Sequence, residues 1–145
     1  MKVSTRTRYG LRFLINLGIN YGKGTMQLKE IAEKEQISEK YLEQIVTVLK
    51  LSGVIKALRG AYGGYSLAKS PGQITVKELF EILEGGLAPI DCLEDKENCS
   101  RYEECVINEF WLKLMDHMCA FLVSYTLEDL VDMYRKKKDL PMFYI

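Results

Sequence analysis

Apolar residues in the first half of the chain recur at helical spacing in three blocks. Tyr9, Phe13 and Leu17 stand at i, i+4, i+8, and Leu11, Leu14 and Ile15 widen the stripe. That spacing predicts a helix from about Thr5 to Tyr21, stopped by Gly22 and Gly24. A second, shorter helix carries Leu28, Ile31 and Ala32. In the third block Leu42, Ile45, Val46 and Leu49 stand at i, i+3, i+4, i+7; Ser38 is its N-cap, Glu39 suits its first turn and Gly53 ends it. The pattern then changes. VIKAL (54–58) and GYSLA (64–68) have strand character and flank a loop containing Arg59, Gly60, Gly63 and Gly64. Helix, short helix, helix and two-stranded hairpin is the element order of a winged helix-turn-helix.

Pro71 breaks the chain. TVKELFEILEGG (75–86) reads as a short helix with Val76, Leu79, Phe80 and Leu83 inward and two glycines as its stop. A long helix is predicted from near Glu103 to about Tyr125. Its residues Ile107, Trp111, Leu114, Met118, Phe121 and Tyr125 are spaced 4, 3, 4, 3, 4, close to a heptad seam. Val106, Phe110 and Leu122 widen the apolar face, so one flank can cover the N-terminal part while another meets a partner helix. A last helix is capped by Thr126 and ends in cations. The expected fold is mainly α with a small β-hairpin. A winged helix-turn-helix DNA-binding domain occupies 1–72, its first helix also packing on the dimerisation region. A linker helix, a cysteine loop and the dimerisation helices occupy 73–145.

Charge changes the picture. The formal net charge of the 145 residues is zero, but residues 1–70 hold 12 Lys/Arg and 5 Asp/Glu, and residues 71–145 hold 8 and 15. The halves are therefore +7 and −7, a basic half suited to a polyanion and an acidic half with another task. No apolar run reaches the roughly 18 residues of a membrane span, and no signal peptide opens the chain. A cytoplasmic protein with no membrane association is expected. With one histidine and no nucleophile–base pairing or phosphate-loop motif, no enzymatic chemistry is expected.

With its apolar stripe inward, the third helix turns Lys40, Glu43, Gln44 and Thr47 outward, again at i, i+3, i+4, i+7, with Tyr41 beside them. Such a row addresses base edges in a major groove: glutamine pairs with adenine, and glutamate accepts from cytosine N4. A carboxylate near phosphates is unfavourable unless it reads a base, which makes Glu43 the informative member. In the hairpin loop, glycines allow close backbone approach, and Arg59 suits a narrow minor groove. Tyr62 and Tyr65 support the wing or pack along the sugar-phosphate edge. Arg6, Arg8 and Arg12 add phosphate contacts or solubility.

Cys92, Cys99 and Cys105 are separated by six and five residues. These spacings match neither a zinc ribbon nor a ferredoxin run, so the chemistry indicates a soft-metal or iron–sulfur site. Seven carboxylates against two bases between Asp91 and Glu109 favour a bound cation. Cys119 lies on the apolar helix and reads as a structural thiol. His117 lies twelve residues past Cys105, about 18 Å along a helix, too far to join the same site from the same chain.

The segments STRTRYGLR (4–12), ISEKYLEQI (37–45), RGAYGGYSLA (59–68), ITVKELFEILEG (74–85) and YTLEDLV (125–131) resemble the IscR-type winged-helix regulators, over nearly the whole chain to about residue 133. The resemblance implies a DNA-binding homodimer, a transcriptional repressor whose long helices cross and whose recognition helices enter adjacent major grooves of a duplex operator. It implies that Glu43 discriminates between operator classes and that Arg59 enters the minor groove. Three cysteines in this loop resemble the cluster-binding branch, where they ligate a [2Fe–2S] cluster. The cysteine-metabolism repressors of the same fold generally lack the triplet. One departure stands out: the histidine that completes the iron–sulfur regulator's site is replaced here by Asn108. The fourth ligand is left among Asn108, Glu104, Glu109, water and a group from a partner subunit. Arg8 stands where the nitric-oxide sensor has an acidic ligand. Iron–sulfur assembly proteins or a metabolic enzyme are the protein partners this family would suggest. The alternatives are a cluster-free regulator of the same fold, controlled by a partner protein or small molecule, and an iron–sulfur carrier.

Overall fold

The computed structural model describes residues 1–140; residues 141–145, the end of the expected second part, lie outside them. Six α-helices and one hairpin follow in the order α1 (Thr5–Ile19), α2 (Leu28–Glu35), α3 (Glu39–Leu51), β1 (Ile55–Leu58), β2 (Gly64–Leu67), α4 (Val76–Glu84), α5 (Asn108–Val123) and α6 (Leu127–Asp139). The caps are those the sequence offers. Ser38 Oγ accepts from the Tyr41 N–H at 3.1 Å and opens α3. Thr75 and Thr126 do the same for α4 and α6.

One buried cluster joins Phe13, Leu14 and Leu17 of α1 to Leu42, Ile45 and Leu49 of α3, Leu79 and Leu83 of α4, and Leu127 of α6. Burial of each such side chain contributes about 1.5–3 kcal/mol. The core therefore draws on both sides of residue 72: α4 and α6 cover α1 directly. α6 comes closest at Gly18, where a Cβ would stand 2.6 Å from Val131 Cγ2; any side chain there would force the helices apart.

The strands pair antiparallel from Ile55↔Leu67 to Leu58↔Gly64. Met26, just before α2, adds a third line of pairing. Its N–H donates to the Tyr65 carbonyl at 2.9 Å, and the Tyr65 N–H donates to the Met26 carbonyl at 2.8 Å. The wing is thereby fastened to the start of α2.

α5 begins at Asn108 rather than near Glu103. The chain before it folds as three separate 3-10 turns, Asp91–Leu93, Lys96–Asn98 and Tyr102–Glu104. Asp95 holds the second turn by accepting from the Glu97 N–H at 3.1 Å and from Asn98 Nδ2 at 2.6 Å. Cys105, at φ −76° and ψ 105°, is extended and breaks the helix. No residue of α5 is buried within the single chain, and Phe110 and Phe121 are 58% and 64% exposed.

Candidate nucleic-acid interface and cysteine loop

α3 presents its outward row as its periodicity requires: Lys40, Glu43, Gln44 and Thr47 are all exposed. Thr47 Oγ1 donates to the Glu43 carbonyl at 2.8 Å, so its hydroxyl proton is already engaged. Tyr41 is half-buried, its ring edge-on to Tyr9 at 5.8 Å between centroids. Tyr41 therefore braces α3 against α1 as well as bordering the outward row. Ser4, Thr5 and Arg6 share a shallow pocket with Tyr41, Gln44 and Ile45, which brings the N-terminus of α1 to the edge of the same face. Sequence periodicity treats each helix alone and gives no sign of that neighbour.

At the wing tip Arg59 and Gly60 are exposed, and among the described residues Arg59 has no ion pair. The glycines divide by role. Gly60, at φ +111°, has open space around it. Gly63 and Gly64 face their own chain. A Cβ on Gly63 would meet the Leu58 and Gly60 carbonyls, and one on Gly64 would run into the backbone of Met26. Close approach is what both glycines allow: Gly63 lets the hairpin loop close on its own carbonyls, and Gly64 lets it meet the backbone just before α2. Thr25 Oγ1 completes the fastening by donating to the Tyr62 carbonyl at 2.9 Å.

Two of the three arginines of α1 are engaged inside the fold. Arg6 Nε donates to the Leu83 carbonyl at 2.6 Å, at the C-terminus of α4. Arg12 Nε pairs with Glu35 Oε2 at 2.8 Å. Beside that pair lies a polar knot the sequence reading missed. Asn16, almost fully buried, donates from Nδ2 to Glu35 Oε1 at 2.7 Å and to the Arg12 carbonyl at 2.9 Å, while Lys34 Nζ donates to Asn16 Oδ1 at 2.6 Å. The knot ties the end of α2 to α1, immediately before the turn into α3. A lone Asn on an apolar helix face was the only available signal. Arg8 donates to Thr5 Oγ1 at 3.2 Å and remains exposed. Burial pushes the Glu84 carboxyl up, but hydrogen bonds from Thr7 and Ser4 and the Arg6 charge outweigh it and lower its pKa.

The cysteine loop differs from its expectation. Cys92, Cys99 and Cys105 are free and half-buried, yet among the described residues no three His, Cys, Asp or Glu side chains stand together as a metal site. The physical reason is the local folding. Each cysteine belongs to or ends a different 3-10 turn, with the Cys99 N–H on the Lys96 carbonyl at 3.3 Å and the Cys105 N–H on the Tyr102 carbonyl at 3.4 Å. One atom nevertheless stands out. Asn108 Oδ1 is buried without a hydrogen-bond partner, at the first residue of α5, whose N–H donates to the Cys105 carbonyl at 3.1 Å. An orphaned buried acceptor is uncommon and calls for a partner. In chemistry, three free thiols fit an iron–sulfur cluster and this amide oxygen is a weak fourth donor; in position, this fold of the loop does not gather them. Glu104 and Glu109, the other candidates, are exposed, and Glu109 pairs with Lys113 at 2.7 Å. Cys119 is half-buried and His117 exposed on α5, its Nδ1 lying 2.7 Å from the Lys113 carbonyl.

Among the described residues no helix is long and apolar enough to cross a membrane. The Rrf2 family model, described as iron-dependent transcriptional regulator, matches residues 3–133. The HTH-type transcriptional regulator CymR of Bacillus subtilis is 41% identical over 145 residues, the whole of both chains. Its solved structure, described as that of the global cysteine regulator, superposes with a TM-score of 0.75 over 92% of this chain and 98% of that one. IscR of T. potens, 33% identical, superposes with a TM-score of 0.76 over 99% of this chain and 95% of that one. IscR of Cronobacter sakazakii is 31% identical over 132 residues, 91% of this chain and 81% of that protein. With a winged helix, an outward polar row on α3 and relatives that match it nearly end to end, the chain belongs to the Rrf2 family of DNA-binding transcriptional regulators.

Proposed function

We propose that the protein is a cytoplasmic homodimeric repressor whose operator binding is controlled by a [2Fe–2S] cluster held at Cys92, Cys99 and Cys105, with Asn108 as fourth ligand. DNA is read by Lys40, Glu43, Gln44 and Thr47 in the major groove and by Arg59 in the minor groove. The exposed apolar residues of α5 meet the same helix of a second copy. The observation that carries the cluster is the orphaned Asn108 oxygen at the start of α5, three residues after the last of three free loop cysteines. A cluster, when bound, supplies a redox-active and exchangeable iron centre. The chain's own part is to bring three separate turns together, which must move the start of α5. A two-state shift of this kind biases the distance between paired recognition helices.

A second reading has its own support. The thiols are not gathered, and CymR is 41% identical over the full length. A cluster-free repressor controlled by a partner protein or small molecule fits those two facts. Anaerobic purification with visible spectra and iron and sulfide analysis separates the two. The cluster reading expects about two irons and two sulfides per chain. A colourless, iron-free protein that still binds its operator and cannot be reconstituted supports the second reading.

A further inference from the structure

The C-terminal end of α6 carries four consecutive cations, Arg135 and, in the last turn, Lys136, Lys137 and Lys138. α6 delivers them to the helix-turn-helix. Val131 packs at Gly18, and Tyr134, one turn on, meets Lys34, which is itself bonded to Asn16. α6 therefore crosses α1 near the C-terminal end of α1, where Arg135 shares a pocket with Gly18, Ile19, Tyr21 and Lys23, and its own end reaches the last turn of α2. The Tyr134 ring receives two ammonium groups, Lys34 Nζ at 5.6 Å and Lys138 Nζ at 5.7 Å from its centroid. Lys34 lies four residues before Ser38, the N-cap of α3.

Arg135 is neutralised by Asp132 at 3.3 Å, but among the described residues Lys136, Lys137 and Lys138 have no ion pair. The helix dipole favours a cation in the last turn by about 0.3–1 kcal/mol. It does not call for three unpaired lysines in a row, nor for a fourth from α2 folded onto the same ring.

We propose that Lys136, Lys137 and Lys138, with Lys34 at their base, contact phosphates of duplex DNA flanking the operator, outside the bases read by α3 and the wing. The inference rests on the DNA-reading assignment above. Phosphate contacts of this kind fix register and add affinity without sequence information. They also steepen the salt dependence, by about 0.9 in the slope of log K against log[salt] for each phosphate neutralised.

The test uses full-length protein and an operator selected from a randomised duplex pool. A short duplex ends at the last selected base pair, and a long one carries one further helical turn on each side. The wild type should prefer the long duplex, on the order of tenfold at about 50 mM salt. Lys136→Gln/Lys137→Gln/Lys138→Gln should bind the short duplex like the wild type, lose the preference for the long one, and show a shallower salt slope on it. A non-specific loss of charge would weaken both duplexes alike, and a misfolded variant would bind neither. Equal length preference in the two proteins, or none in the wild type, overturns the inference and leaves the lysines to the helix dipole or to an acidic protein partner. A wild type that selects no operator overturns the DNA-reading assignment as well.

Discussion

Thr75 and Thr126 stand opposite each other as an isolated antiparallel bridge, and each is the N-cap of its own helix. The N–H of Val76, first residue of α4, donates to the Tyr125 carbonyl at 2.8 Å, and the N–H of Leu127, first residue of α6, donates to the Ile74 carbonyl at 2.8 Å. The first amide of a helix has no partner within it. Here each helix start is satisfied by the strand that enters the other. The C-terminal end of α5 feeds into this joint, so a movement of α5 is felt at the start of both helices that cover α1.

Thr126→Ala should destabilise the fold by about 1 kcal/mol, the usual cost of a lost cap. It removes the hydroxyl that accepts from the Asp129 N–H and donates to the Asp129 carboxylate at 2.9 Å. Hydrogen bonds from the Thr126 backbone and side chain hold the Asp129 pKa below its ordinary value. A carboxylate with a depressed folded pKa contributes stability above its unfolded pKa and loses it as pH falls through the folded value. Urea unfolding from neutral pH down into the acid range should therefore show a shallower acid decline for both Thr126→Ala and Asp129→Asn. An unaltered acid limb in Asp129→Asn would remove the capping box from the account.

Gly64→Ala should cost more than an exposed-loop substitution, about 1–3 kcal/mol or more. Gly64 sits at φ +152°, and an added Cβ would push into the Met26 backbone. The wing should come away from α2, exposing the Met26 and Tyr65 amides. Amide exchange at these two residues, faster in the variant while α4 is unaffected, is the expected signature. Gly60→Ala, in open space, should disturb exchange at Met26 far less.

The contrast between these glycines shows what the sequence could and could not tell. The stripe Leu42, Ile45, Val46, Leu49 and the caps Ser38 and Thr126 are local signals: they locate α3 with its buried face and the start of α6. The fastening of Gly64 to Met26 joins residues 38 positions apart, and the Asn16–Glu35 bond joins residues 19 apart; neither leaves a periodic trace. The start of α5, expected near Glu103 and found at Asn108, escapes the sequence for a different reason. The apolar pattern of Val106 and Ile107 is indifferent to whether the backbone is helical, whereas Asp95 and the extended Cys105 decide it locally. Spacing showed three ligand-type residues; whether they converge depends on turns that spacing does not encode.

Arg59→Ala and Glu43→Ala should have different signatures. Loss of a groove-inserted arginine should weaken a selected operator by about 1–3 kcal/mol at moderate salt. Removing Glu43 takes away an acceptor but also a repulsive charge, so total affinity should change less than base preference. Selection from a randomised operator pool measures the second effect, and titration on one operator measures the first. Unchanged selectivity in Glu43→Ala would make that side chain a solvated bystander on α3.

Asn108→His addresses the orphaned oxygen directly. Asn108 opens α5 and its N–H holds the Cys105 carbonyl, so an imidazole there is anchored three residues from the third thiol. A neutral imidazole is a better iron ligand than an amide oxygen. Anaerobically reconstituted Asn108→His should therefore lose its visible absorbance in air more slowly than the wild type. Cys92→Ala, Cys99→Ala and Cys105→Ala should fail to assemble a stable cluster, while keeping the fold, because none of the three belongs to the buried core. Asn108→Ala supplies the complementary measurement: removing a buried acceptor that has no partner should cost little stability in the cluster-free chain and should speed decay in the loaded one. If Asn108→His and Asn108→Ala both decay at the wild-type rate, the amide oxygen is not a ligand, and the exposed carboxylates Glu104 and Glu109 become the donors to substitute next.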